Sequence, residues 1–185
     1  ILPADIAEEL KKFGKSYARR HENVSVLFAD IEGFTSIAQN LTPDLLVTQL
    51  DEAFRGFDYI TGKYGMEKIK TIGDAYMCAS GLPLDDEEHA QNAVKAAIDM
   101  QEFITELGRS KLIQDLPVFR IRIGIHSGPV VSGVVGTKKF VYDIWGDTVN
   151  LASQMEQQGV PGKINISGQT YELVKNIFEC EQRGK

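Results

Sequence analysis

The sequence is poor in the features that mark several classes of protein. Its 185 residues include two cysteines, Cys78 and Cys180, too few for a disulfide framework, so a reducing compartment is expected. Basic residues are not in excess: 20 Lys and Arg against 26 Asp and Glu give a charge of −6, which argues against nucleic acid as a partner. No apolar run approaches the roughly 20 residues that span a bilayer, and no signal-peptide pattern is present. We therefore expect a cytoplasmic domain that makes no membrane contact itself.

Common catalytic signatures are missing as well. The sequence has no Ser/His/Asp order, CxxC pair, HExxH motif or GxxxxGK[ST] phosphate loop, so those chemistries are excluded. It also lacks repeats, low-complexity tracts and Pro/Ser-rich linkers, which favours one domain over residues 23–185. Residues 1–22 are dense in charge and are interpreted as a connecting segment from an upstream domain, with a disordered terminus as the alternative.

The first half of the chain predicts a strand, a helix and two further strands. Val24–Ile31 is nearly all apolar, as in a strand buried on both faces. Thr42-Pro43 provides an N-cap and a first helical residue, and Gly65 ends the apolar stripe that follows. Residues 66–72 and 75–80 are two strands that meet at a tight turn.

The second half continues with helices and short strands. Asp85 and Glu88 predict a capping box at the start of the next helix. Period-two alternation before and after Gly128 predicts a hairpin over 118–136. The remaining elements are a helix over 147–158, a strand over 163–167, a helix over 169–175 and an extended piece over 177–181. This order predicts an α+β fold with a mixed, mostly antiparallel sheet and helices packed on it.

Two acidic residues lie where a cation could be held. Asp30 ends the buried strand, and Asp74 lies in the tight turn after Gly73. If the flanking strands are neighbours, both carboxylates meet at one edge, as Mg²⁺ beside a polyphosphate requires. The alternative is ordinary turn and helix-cap chemistry for both residues.

Further polar residues are candidates with equally ordinary alternatives. Lys70 lies on the strand that leads to Asp74 and resembles an exposed strand lysine. Arg122 alternates with isoleucines and fits a solvated sheet face. Asn150 and Gln154 share one face of a short helix, and such polar pairs usually face solvent.

Read together, four segments resemble the catalytic domain of class III nucleotidyl cyclases. They are FADIEGFT (28–35), KIKTIGDAY (68–76), RIGIHSG (122–128) and YDIWGDTVN (142–150). The resemblance covers residues 22–185 and implies a ferredoxin-like βαββαβ core related to polymerase palm domains. It also implies a head-to-tail homodimer with active sites at the subunit interface. An upstream sensor domain and a membrane anchor elsewhere in the full protein would be in keeping with it.

The resemblance assigns roles to particular residues. One subunit would hold two divalent cations, Mg²⁺ or Mn²⁺, through Asp30, Asp74 and the carbonyl of Ile31. The cations would activate the ribose 3′-hydroxyl for in-line attack on the α-phosphorus and hold the leaving pyrophosphate. The β- and γ-phosphates would be contacted by Gly33, Phe34, Thr35 and Arg122. The other subunit would supply Lys70 and Asp143 to the base, Asn150 to the ribose and position 154 to the transition state.

The base-contacting residues favour adenine. Adenine presents a donor at its 6-amino group and an acceptor at N1, which match the acceptor Asp143 and the donor Lys70. Guanylyl cyclases of this family typically have Glu and Cys at these two positions. Each mismatched buried contact costs about 1–3 kcal/mol, so the sequence predicts an adenylyl cyclase that acts on ATP.

Two departures from the family pattern predict reduced activity. Active members usually have an arginine where this chain has Gln154, and losing such a charge costs about a hundredfold in rate. The chain ends at Lys185, before the last hairpin and its phosphate-contacting lysine, so we expect the C-terminal hairpin to be incomplete. The alternative function is a low-turnover nucleotide-binding or dimerisation module. A diguanylate cyclase is disfavoured because its Gly-Gly-(Asp/Glu)-Glu-Phe signature is absent.

Overall fold

The structure, a computed structural model, describes residues 1–185 as one mixed sheet with helices on both faces. The helices are α1 (Ala4–Phe13), α2 (Phe34–Gln39), α3 (Pro43–Lys63), α4 (His89–Ile113), α5 (Asp147–Gln157) and α6 (Gly168–Val174). The strands are β1 (Arg19–Ile31), β2 (Glu67–Ile72), β3 (Ala75–Ser80), β4 (Ile121–Val135), β5 (Val141–Trp145) and β6 (Ile164–Ile166). The succession β1-α3-β2-β3-α4-β4 is the expected βαββαβ order, and the α+β class is confirmed. None of the helices is both long and apolar enough to cross a bilayer.

The sheet is centred on β1 and β4. Its strand order is β2-β3-β1-β4-β5, and every neighbouring pair in this path is antiparallel. β6 runs parallel to the first part of β4, beyond which β5 pairs with the second part of the same edge. The prediction of a mixed, mostly antiparallel sheet is therefore confirmed.

The alternation of β1 builds two separate cores. Leu27, Ala29 and Ile31 point into the larger core, which α3, α4 and α6 cover. Val24–Phe28 contributes its other side chains to a smaller core together with residues of α1 and α5. Asp30 follows the same alternation as Phe28 and therefore lies on the side of the smaller core.

The predicted hairpin over 118–136 is wrong, because Ile121–Val135 forms the single long strand β4. Pro129 does not turn the chain. Pro129 lies opposite a bulge on β1, where the β1–β4 register shifts between His21 and Val24. A bulge leaves backbone groups unpaired, so a residue without an N–H is tolerated there. The hairpin partner of β4 is β5, which returns after residues 136–140.

The predicted helix boundaries are mostly confirmed. The Thr42 hydroxyl accepts a hydrogen bond from the Leu45 N–H at 3.3 Å, and α3 ends before Gly65, which has a φ of +64°. The capping box of Asp85 and Glu88 is wrong. The N-cap residue Glu88 forms no side-chain cap, and the Asp86 carboxylate instead accepts hydrogen bonds from the Glu88 N–H and the Asn92 side chain.

Two differences occur near the ends of the chain. β1 begins at Arg19, five residues before the predicted start, and pairs with β4 from its first residue. No strand forms over 177–181, where Phe178 instead packs its ring against the larger core.

Candidate active site

Asp30 and Asp74 meet at one end of the sheet. Asp30 lies opposite Ala75 in the β1–β3 register, so the β2–β3 turn places Asp74 one residue beyond it. This turn is made possible by Gly73, whose φ of +60° is strained for other residues. The two carboxyl groups are within hydrogen-bonding contact of each other. The predicted convergence of these acids is therefore present in the fold.

The environment of Asp30 disfavours its charge. Partial burial raises the pKa of its carboxyl to about 7, and the neighbouring carboxyl groups of Asp74 and Glu156 act in the same direction. Arg122 opposes them. Two carboxylates in contact repel each other unless a cation or a shared proton lies between them.

Arg122 joins these carboxylates to α5. It lies opposite Asp30 in the β1–β4 register, and its guanidinium nitrogens are 3.2 Å from the Asp30 carboxylate and 3.0 Å from that of Glu156. The side chain of Arg122 is 29% exposed, because α5 covers this face of the sheet. The alternative of a solvated arginine is therefore wrong. We call Asp30, Asp74, Arg122 and Glu156 the carboxylate cluster.

The carboxylate cluster suits a divalent cation that is held partly by its substrate. Asp30 and Asp74 offer adjacent hard oxygen ligands, and the pKa of Asp30 is raised first by burial and then by the neighbouring carboxyl groups, both of which a bound cation would offset. No group of three or more acidic, histidine or cysteine side chains is placed to hold a metal ion alone. The donor set thus fits Mg²⁺ or Mn²⁺ whose other ligands are phosphate, water or a backbone carbonyl such as that of Ile31.

The loop after β1 leaves backbone N–H groups free to donate hydrogen bonds beside Asp30 and Asp74. Gly33 has a φ of +65° and precedes α2, whose first N–H groups receive no side-chain cap. The Phe34 ring packs edge-on against Phe119, with 6.3 Å between ring centroids, and fixes the loop to the larger core. The predicted phosphate contacts of Gly33, Phe34 and Thr35 would therefore be made by backbone N–H groups and the exposed Thr35 side chain.

Lys70 and Asp143 form a second polar group. The Lys70 ammonium lies 2.8 Å from the Asp143 carboxylate, although 73 residues separate them in the chain. These residues belong to β2 and β5, the two edges of the strand path, so the sheet curls until its edges approach. Asp143 is 11% exposed and also accepts a bond from the Ile144 N–H, which fixes its carboxylate. We call this the β2–β5 pair.

Asn150 and Gln154 project from α5 into solvent. Both are exposed and occupy one helix face, as their spacing predicted. Neither forms a hydrogen bond through its side chain, and none joins the β2–β5 pair to the carboxylate cluster. Within one chain, the carboxylate cluster and the residues predicted to contact base and ribose are therefore separate groups.

Sequence reasoning did not single out Glu156. It lies two residues after Gln154 and points to the opposite side of α5, where it is 5% exposed. One sequence feature could have indicated that a helix packs closely here, namely Gly124 within the strand segment RIGIH. Because Gly124 has no side chain, α5 can approach the sheet at the position of Glu156.

A palm-like sheet with paired carboxylates at one strand end defines a nucleotide-processing catalytic domain. Comparisons with known proteins identify the family. The family model of the adenylate and guanylate cyclase catalytic domain matches residues 16–185, so the chain belongs to this family.

The relatives include cyclases of both specificities. An adenylate cyclase of Mycobacterium tuberculosis is 42% identical over 185 residues, which are 100% of this chain and 41% of that protein. Guanylyl cyclase C of Sus scrofa is 42% identical over 98% of this chain and 17% of its own length. The chain thus spans about two fifths of the mycobacterial relative and far less of the mammalian one.

Solved structures share the fold over nearly the whole chain. The adenylyl cyclase CyaB from P. aeruginosa superposes with a TM-score of 0.87 at 31% identity, covering 91% of this chain and 88% of that chain. The catalytic core of a rhodopsin-guanylyl cyclase with converted specificity, in complex with ATPαS, has a TM-score of 0.83 at 36% identity and covers 92% and 94% of the two chains. The ferredoxin-like palm fold expected from the resemblance is confirmed.

Proposed function

We propose that this domain converts ATP to 3′,5′-cyclic AMP and pyrophosphate as a head-to-tail homodimer. Family membership supports nucleotide cyclisation, and the β2–β5 pair carries the choice of ATP. Lys70 can donate to adenine N1 while Asp143 accepts from the 6-amino group. Guanine presents the reverse pattern, which would set its carbonyl against a carboxylate.

The carboxylate cluster prepares the reacting end of the substrate. Asp30 and Asp74 would hold divalent cations with the Ile31 carbonyl, and these supply Lewis-acid activation of the ribose 3′-oxygen and offset the triphosphate charge. Arg122 retains N–H donors for the β- and γ-phosphates after its contacts with Asp30 and Glu156. The N–H groups that follow Gly33 add neutral donors to the same phosphates.

A dimer is proposed because the two polar groups are separate within one chain. The β2–β5 pair is proposed to bind the base, and the exposed Asn150 and Gln154 the ribose and the transition state. No contact within one chain joins these residues to the carboxylate cluster, which is proposed to bind the phosphates of the same nucleotide. A second copy in a head-to-tail arrangement supplies the missing group to each site. A guanylyl cyclase domain of this fold from Blastocladiella emersonii is described as a non-canonical dimer in one structure and as monomeric in another, so dimerisation of the present domain has to be tested directly.

Turnover of ATP and GTP with Mn²⁺ tests the proposal. The unmodified domain should prefer ATP, and the double variant Lys70→Glu/Asp143→Cys should reverse the preference by at least about a hundredfold, because two contacts change sign together. The Asp85→Asn variant is the control, since it removes an exposed carboxylate outside both groups. Persistent ATP preference in the double variant would show that other residues read the base.

A second candidate function is a nucleotide-binding module with little turnover. Gln154 favours it, because an exposed amide brings no positive charge to the transition state. We expect Gln154→Arg to raise kcat by about a hundredfold with little change in KM. No turnover in either form, with nucleotide binding retained, would favour the module.

A further inference from the structure

Glu156 is the one member of the carboxylate cluster that lies on a helix. Its carboxylate accepts a hydrogen bond from Arg122 Nε at 3.0 Å, and its side chain is only 7% exposed. A second nitrogen of the same guanidinium contacts Asp30 at 3.2 Å. Glu156 thus reaches the paired acids through Arg122 and not by direct contact.

The position of this carboxylate is fixed by the backbone. A Cβ atom on Gly124 would lie 2.0 Å from the Glu156 nitrogen and 2.5 Å from its Cα, so α5 rests directly on β4 at this point. Gly124 is two residues after Arg122 and faces the same side of the sheet. The helix therefore holds Glu156 at a fixed place beside the arginine.

Glu156 also changes the charge that Arg122 presents. An arginine paired with Asp30 alone would neutralise a carboxylate that the cations need, and would compete with them. Two carboxylates, those of Asp30 and Glu156, share the guanidinium, and Asp74 adds a third carboxylate beside Asp30, so the carboxylate cluster has a formal charge of −2 when all its groups are ionised. Without Glu156, the whole guanidinium charge would act on Asp30, and the attraction of that carboxylate for a divalent cation would weaken.

We propose that Glu156 is a positioning residue that holds Arg122 away from full pairing with Asp30 and thereby sustains cation binding at the Asp30–Asp74 pair. It acts through Arg122 and does not itself touch substrate or metal. This inference deepens the proposed function and rests on it. Partners that orient a metal site from outside typically contribute tenfold to a hundredfold in affinity.

Binding of Mn²⁺ tests this inference without turnover. Free Mn²⁺ is measured by electron paramagnetic resonance in the presence of 2′,3′-dideoxy-ATP, which lacks the attacking hydroxyl. We expect Glu156→Gln to weaken Mn²⁺ binding by about tenfold, and Glu156→Asp, which keeps the charge, to restore part of it. Glu172→Gln is the matched control and should leave binding unchanged, because Glu172 is 62% exposed and pairs only with Lys175.

A second variant separates positioning from simple packing. Once Arg122→Gln has removed the guanidinium, adding Glu156→Gln should change Mn²⁺ affinity by less than about twofold. Glu156→Gln leaves Arg122 paired with Asp30, so this variant should fold, and the more conservative Glu156→Asp gives a second folded variant for the same measurement. Equal Mn²⁺ affinity in the wild type and both Glu156 variants, or additive losses in the double variant, would overturn the inference. A wild type that binds no Mn²⁺ at all would instead refute the proposed function.

Discussion

The carboxylate cluster and the β2–β5 pair differ in how far their charges are balanced within the chain. The carboxylate cluster has three carboxylates and one guanidinium, which pairs with Asp30 and Glu156, while the Asp74 carboxyl group lies against that of Asp30. The β2–β5 pair is a neutral ion pair at 2.8 Å that is complete without any ligand. A charged ligand therefore relieves the carboxylate cluster, whereas a base must exchange contacts with the pair. In the proposed function, the carboxylate cluster therefore provides binding strength, and the β2–β5 pair provides the choice of base.

Replacing Asp30 or Asp74 should have the largest effect on cyclic AMP formation. Asp30→Asn or Asp74→Asn keeps the size of the side chain but removes one of the two carboxylates, so we expect cyclic AMP formation with Mn²⁺ to fall by at least about a thousandfold. The Asp85→Asn domain provides the reference activity. If either asparagine variant kept more than a tenth of that activity, the acids would have no part in holding cations.

Moving α5 should disturb the carboxylate cluster and the exposed polar face of α5 at once. In Gly124→Ala, the added methyl would meet the backbone of Glu156, so the helix that carries Asn150, Gln154 and Glu156 must shift. We expect a loss of about 1–3 kcal/mol in the free energy of unfolding and at least about a tenfold loss in kcat. Both are measured by urea unfolding and turnover on the same samples.

Gly62→Ala is the matched control for that substitution. A Cβ on Gly62 meets nothing within 4 Å, and alanine in a helix should stabilise α3 by about 0.5–1 kcal/mol. Unchanged activity and stability in Gly124→Ala would mean that α5 does not depend on its contact with β4.

The strand that leads to Asp30 and the turn that holds Asp74 could be predicted from the sequence, because local patterns determine both. A buried strand that ends in Asp30 and a tight turn that holds Asp74 define the first group once the strands pair. Glu156 could not be predicted, since its burial depends on how closely α5 approaches Gly124. The false hairpin over 118–136 has a similar cause, because the bulge that accommodates Pro129 lies on β1, more than 100 residues away. Contacts between distant segments determine both features.

A neutral network of buried side chains contrasts with the charged cluster. His89 and His126 are joined by five hydrogen bonds of 2.6–3.3 Å that pass through buried hydroxyl groups, those of Ser25, Ser127, Thr170 and Ser167. Burial lowers the pKa of both imidazoles. The unfolded chain therefore takes up protons first, and stability should fall as pH drops below about 6.5, by at most about 1.4 kcal/mol per histidine per pH unit.

The smallest predicted effect is the contribution of this network to the pH dependence of unfolding. Asp30 acts in the opposite direction, because with its pKa raised to about 7 the folded state holds a proton that the unfolded state has lost above about pH 4. The comparison is therefore made in an Asp30→Asn background, by urea unfolding at pH 5, 6 and 7. Adding His126→Asn should flatten the slope. An unchanged slope would show that His126 is not held neutral in the fold.

Mixing two inactive variants tests most directly whether separate groups from two chains form one site. Asp30→Asn lacks a carboxylate proposed to bind the cations but keeps Asn150. Asn150→Ala lacks the side chain proposed to contact the ribose but keeps Asp30. Random pairing of equal amounts gives half heterodimers, each with one intact site of two, so about a quarter of wild-type cyclic AMP formation should return. Activity that stays at the level of the separate variants would contradict the account, because it would place both groups in a site within one chain.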